Sequence, residues 1–98
     1  MKVEVSDQVA AFVRSQAPKP RRRLRLALRK LESERGDIRA LEGPLRGYHR
    51  LRVGPYRVVF ATSAEAGQPA CIRCLFAERR DVVYTVFSRV LQRSILED

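Results

Sequence analysis

The chain opens on MKVEV, where Val3 and Val5 alternate with Lys2 and Glu4, the period-two pattern of a short strand with one buried face. Ser6 or Asp7 then caps a helix in which Val9, Phe12 and Val13 form an apolar stripe, and APKP at 17–20 breaks it. Pro20 suits the entry to a second helix. There Leu24, Ala27, Leu28 and Leu31 fall at i, i+3, i+4 and i+7, and Gly36 is placed to end it. The two helices predict an amphipathic hairpin. Residues 37–47, DIRALEGPLRG, carry two glycines and a proline and read as a connecting loop pinned by Leu41 and Leu45.

Strands follow. His49, Leu51 and Val53 share one face of the first, with Tyr48, Arg50 and Arg52 on the other. Gly54 and Pro55 make a turn, and YRVVFAT returns with Tyr56, Val58 and Phe60 on one face and Arg57, Val59 and Ala61 on the other. After the polar SAEAGQP at 63–69, ACIRCLFA supplies a further strand, with Ile72, Cys74 and Phe76 facing opposite to Cys71, Arg73 and Leu75. Asp81 caps a final helix whose Val83, Val86, Phe87, Val90 and Leu91 repeat at the helical period. The pattern predicts an α+β fold of order β-α-α-β-β-β-α. A helical hairpin and C-terminal helix pack on a small, mostly antiparallel four-stranded sheet, in one domain spanning 1–98. With the helices on one side, Leu51, Val53, Tyr56, Val58, Phe60, Ile72, Cys74 and Phe76 are buried and the other face is left open.

Composition sharpens what that open face is for. Ninety-eight residues suffice for one core, 45% apolar residues exclude a disordered chain, and no apolar run approaches the ~18 residues of a membrane span. MKVEV is followed by the polar SDQ and not by the apolar stretch of an export signal, so a cytoplasmic location is expected. Twenty basic residues against eleven acidic ones leave a net charge of +9, and 17 of the twenty are arginine, whose planar fork binds phosphate bidentately. An anionic partner is implied. Nucleic acid fits better than a membrane surface, because the chain has three lysines and no tryptophan. Arg50, Arg52, Arg57 and Arg73 lie on the open face, and residues 48–64 contain no acid, so these side chains can hold a phosphodiester backbone while Tyr48 offers a ring for base stacking. On the second helix Arg21, Arg22, Arg23, Arg25, Arg29 and Lys30 form a basic surface that suits a solvated face and a nucleic-acid or protein contact equally. Cys71 and Cys74 have C-x-x-C spacing but no second pair, and residues three apart in a strand point to opposite faces. They read as buried thiols, and no metal or cofactor is expected.

Taken with the order of elements, LEGPLRGYHRLRVGPYRVVF and RRDVVY resemble the RelE/ParE superfamily of bacterial toxins from type II toxin-antitoxin pairs, over nearly the whole chain. The resemblance implies a cognate antitoxin and, for RelE-like members, metal-independent cleavage of mRNA on the ribosome. ParE-like members instead inhibit DNA gyrase without catalysis, and an inactive relative retains antitoxin binding alone. Carried over by residue, Arg57 matches the family's phosphate-binding arginine, Arg50 a basic position on the preceding strand, and Tyr84 the aromatic residue that orients substrate. Tyr48 stands where RelE has a lysine, and Glu78 stands where it has a second catalytic arginine, for which Arg79 or Arg80 can substitute. Glu78 is then the candidate proton carrier, while His49 falls on the buried face as a core histidine.

Overall fold

The computed structural model describes residues 1–97. Strand β1 (Lys2–Val5) leads into the helices α1 (Asp7–Ser15) and α2 (Pro18–Leu31). Strands β2 (Asp37–Ala40), β3 (His49–Val53), β4 (Tyr56–Ser63) and β5 (Cys71–Arg79) follow, and α3 (Val83–Glu97) comes last. The sheet order is β1-β5-β4-β3-β2, antiparallel throughout except for the parallel β1–β5 pair. The α+β class and the helical hairpin are as the sequence predicts. The strand count is five and not four, because DIRA, expected as loop, is β2. Its Ile38 pairs with Leu51 and packs on the core while Asp37 and Arg39 face solvent, so four residues of alternation suffice for an edge strand. What remains of the loop is a short 3₁₀ turn at Gly43–Leu45.

Both faces of the sheet are covered, which corrects the expectation of one open face. The α1–α2 hairpin buries Val9, Val13, Leu24 and Leu31 against Leu51, Val53, Val58, Phe60, Ile72 and Cys74. On the opposite face α3 lays Val83 and Phe87 over Val59, Phe76 and Leu45. The run Val58-Val59-Phe60 is therefore buried on both sides in succession, the signature of a central strand covered by two layers. A β-bulge explains the one misplaced core residue. Val59 pairs with Phe76 and Phe60 with Cys74, so β5 carries an extra residue, Leu75, and its alternation inverts there. Phe76 thus turns towards α3, while Ala77 takes the hairpin face. The last helix starts at Val83, with Val86 N–H donating to the Val82 carbonyl, so Val82 and not Asp81 occupies the capping position.

Where β1 ends, α1 takes over its pairing with β5. The Ser6 hydroxyl donates to the Leu75 carbonyl at 2.9 Å and accepts from Val9 N–H at 3.2 Å, capping the helix and closing the ladder together. The Gln8 amide mimics a strand: its Nε2 donates to the Ala77 carbonyl at 2.7 Å and its Oε1 accepts from Ala77 N–H at 2.8 Å. Ala77 is fully buried, so Gln8→Ala leaves two main-chain groups without partners. The expected loss is about 2 kcal/mol, read as a lower urea midpoint with unchanged slope. An unchanged midpoint would show that water or a shifted strand replaces the amide.

The two cysteines are free and sit in different surroundings, Cys71 half-buried and Cys74 in the hairpin core. Burial, with a smaller contribution from Cys71, pushes the Cys74 thiol from its ordinary 9.0 up to about 12. The unfolded chain gives up this proton first, so stability falls as pH rises from about 9 towards 12. Iodoacetamide near neutral pH should modify at most one thiol of the native protein and both in denaturant, as counted by mass. Double labelling of the native state would mean that the core opens at Cys74.

Candidate nucleic-acid interface

At the start of β4, Arg57 stands between two cross-strand neighbours, Arg52 on β3 and Glu78 on β5. Its Nη1 donates to the Gly54 carbonyl at 2.8 Å and to the Tyr56 carbonyl at 2.9 Å, folding the half-buried side chain back over the β3–β4 turn. Among the described residues its Nε and Nη2 have no partner and remain available to an anion. Burial above all, then the charge of Arg52, pushes the guanidinium below the usual arginine range. Tyr84 acts in the opposite sense, and Arg50 and Arg80 add smaller depressions. Arginine stays charged regardless, so the consequence is mutual repulsion, which an anion bound among these groups would relieve.

Tyr84 stands in the first turn of α3, its half-buried ring packed against the edge of the core beneath that helix. Arg80 is held beside the turn by its own backbone, whose N–H donates to the Pro55 carbonyl at 2.9 Å. Glu78 lies on the same face as Arg57 and accepts from the Arg79 N–H at 3.0 Å. Among the described residues it makes no ion pair, so its carboxylate is not taken up by an arginine side chain. Arg52 is exposed beside Arg57 and likewise makes no ion pair.

Four other candidates are placed differently from the sequence expectation. The Arg50 side chain is only 12% exposed, and its Nη1 bonds Asp37 twice, to Oδ1 at 3.1 Å and to the carbonyl at 3.0 Å, so its charge is already paired. Tyr48 packs edge-on against Phe87 at 5.2 Å and 86°, which ties its ring to α3. Arg73 pairs with Ala61, beyond the α3-covered Val59, roughly 13 Å along β4 from Arg57 at a strand's rise per residue. Its Nε is 3.6 Å from Glu4. Arg79 is the partner of Tyr56 and so takes the hairpin face, away from Arg57. His49 stacks on Phe60 at 5.4 Å, outside the cluster, with a buried Nδ1 that has no hydrogen-bond partner among the described residues. Reading 37–47 as loop hid the Asp37–Arg50 pair; the alternation in DIRA is the signal that could have found it.

The two-faced sheet, with an N-terminal helical hairpin on one face and a last helix against the other, is a fold shared with solved structures of toxins. Among solved structures, a YoeB/ParE toxin from Agrobacterium tumefaciens is similar at TM-score 0.62. That match has 17% sequence identity and covers 82% of this chain and 99% of the other. The RelB-RelE antitoxin-toxin complex from Methanococcus jannaschii contains a chain similar at TM-score 0.59 and 19% identity, with coverage of 85% and 96%. No family model and no curated protein matches the sequence.

Proposed function

We propose that this protein is the toxin of a type II toxin-antitoxin pair and acts as a metal-independent endoribonuclease on ribosome-bound mRNA. The observation that carries the reading is Arg57 set between Arg52 and Glu78, a carboxylate that makes no ion pair among the described residues, with the Arg80 N–H held to the same turn. Cleavage would run by attack of a ribose 2′-oxygen on the adjacent phosphorus, forming a 2′,3′-cyclic phosphate as the bond to the 5′-oxygen breaks. Arg57, through Nε and Nη2, and Arg52 with Arg80 stabilise charge developing on the non-bridging oxygens. Glu78 takes the proton from the 2′-hydroxyl, and the Tyr84 ring stacks on a base while its hydroxyl can protonate the leaving oxygen. Arg50, held by Asp37, positions the neighbouring strand and contributes charge at longer range. Tyr48, Arg73 and Arg79 have no direct part in this cleavage.

The partner is a cognate antitoxin, in line with the similar chain solved within an antitoxin-toxin complex. An acidic segment would be drawn to the same arginines.

The experiment adds purified protein to translating ribosomes and maps mRNA ends. New ends with wild type and none with Glu78→Gln are expected. Tyr84→Phe should keep stacking and lose the hydroxyl, whereas Tyr84→Ala loses both. Activity in Phe but not Ala assigns a stacking role, and equal activity in all three removes Tyr84 from the site. The second reading, inhibition of gyrase, is favoured by Glu78 lying where a second arginine would serve catalysis. Loss of supercoiling with intact mRNA would establish it in place of the first.

A further inference from the structure

The β3–β4 turn meets a guanidinium from each face of the sheet. From one face Arg57 donates to the Gly54 carbonyl. From the other, Arg23 of α2 lies so close over Gly54 that a Cβ there would sit 2.6 Å from its Nη1 and 3.0 Å from its Cζ. Gly54 also has φ +57°, so both the backbone and the space favour glycine. Beside this contact a groove of about 330 Å³ runs between α2 and the end of β3, lined by Arg23, Leu26, Lys30, Gly36, Arg52 and Gly54 among others. Its lining includes three cations and no acid, and none of the three makes an ion pair among the described residues. Asp37, which adjoins Gly36 in the chain, is already bound by Arg50. Leu26 is 53% exposed, an apolar surface against which a sugar or base edge could lie. Arg52 belongs both to this groove and, as the cross-strand partner of Arg57, to the cluster described above.

We propose that this groove is a second phosphate-binding subsite that carries a single RNA strand onward from Arg57 around the turn, with Arg23 and Lys30 each neutralising one flanking phosphate. The inference rests on the reading of the Arg57 cluster as an RNA site and adds to it the path and length of the strand. Charge complementarity selects the occupant: three cations without ion pairs among the described residues, lining one groove, suit a row of phosphates, and Leu26, between Arg23 and Lys30 along α2, suits the sugar or base that joins them.

The test uses 2′-O-methyl oligoribonucleotides, which lack the attacking hydroxyl, of about four and about twelve nucleotides. Affinity is measured against salt. The longer strand should show a log-log slope steeper by ~1.4 than the shorter, ~0.7 for each of the two phosphates that Arg23 and Lys30 neutralise. The Arg23→Gln/Lys30→Gln double variant should abolish that difference and leave the short strand's affinity unchanged, while Arg23→Lys/Lys30→Arg preserves it. Equal slopes for the two lengths in wild type, or an unaltered long-strand slope in the double variant, would overturn the subsite and leave the Arg57 reading standing. Failure of either length to bind, or short-strand binding indifferent to Arg57→Ala, would overturn both.

Discussion

Arg57→Ala should lower mRNA cleavage by about 100- to 1,000-fold, the loss of ~2.7–4 kcal/mol typical when one preorganised transition-state donor is removed. The effect should fall on the rate of single-turnover cleavage more than on ribosome binding, since the remaining arginines still attract RNA. Stability should change little. The side chain is half-buried, its two bonds to turn carbonyls are the ones lost, and repulsion with Arg52, Arg50 and Arg80 is relieved. Growth inhibition on expression gives the cellular readout and thermal unfolding the control. A soluble, folded variant that cleaves like wild type would place the reacting phosphate elsewhere.

Phe87→Ala should have the largest effect on stability. Phe87 is 3% exposed and joins α3 to the sheet through edge and tilted ring contacts, 5.2 Å to Tyr48 and 5.9 Å to Phe76. Truncating such a ring costs about 3–5 kcal/mol, against a total of about 5–15 kcal/mol for a domain of this kind. Because α3 also carries Tyr84, loosening it should reduce activity at temperatures where the hairpin core is still folded. Phe87→Leu, which keeps most of the volume, should recover most of both. Denaturant unfolding followed by far-UV dichroism, with cleavage assayed in parallel, checks the pair. Unchanged stability in Phe87→Ala would mean that α3 is held by its other contacts alone.

Local rules carried the sequence reading where each element follows from its own pattern. Val9 and Val13, Leu24 and Leu31, and the alternation of Leu51, Val53 and Val58 all pack as their spacing predicts. They did not carry what depends on long-range register. The bulge that turns Phe76 over is set by how β4 meets β5, and no pattern within CIRCLF announces it. The second layer was present in the sequence as Val59 beside Val58, but it was outweighed by the arginines that share its face. For the site, the alternation within β3 and β4 places Arg52 and Arg57 on one face, and the structure pairs them across the strands with Glu78 on the other side of Arg57. Arg73 does not join them, because it lies on the expected face but four residues along β4 from Arg57, and Arg79 does not, because the bulge inverts its face. Arg23 reaches Gly54 only once the hairpin is folded onto the sheet, so the basic surface of α2 could not be divided in advance between solvent and site.

The parallel pairing of β1 with β5 also governs when the molecule can exist at all. Lys2 aligns with Cys71 and Val5 with Cys74, so the first strand synthesised must wait 69 residues for its neighbour. At ordinary elongation rates of about 5–20 residues per second, that delay is roughly 3–14 seconds. Loop closure of this span must precede any reward from the pairing, and the contacts of Ser6 and Gln8 with β5 can form only once β5 is available. A ribosome still making this chain therefore carries an unfinished protein, and its basic cluster acquires a rigid support only after β5 has emerged. Until then any partner that recognises this face would meet an incomplete surface, so recognition belongs to the chain in which β5 is already paired.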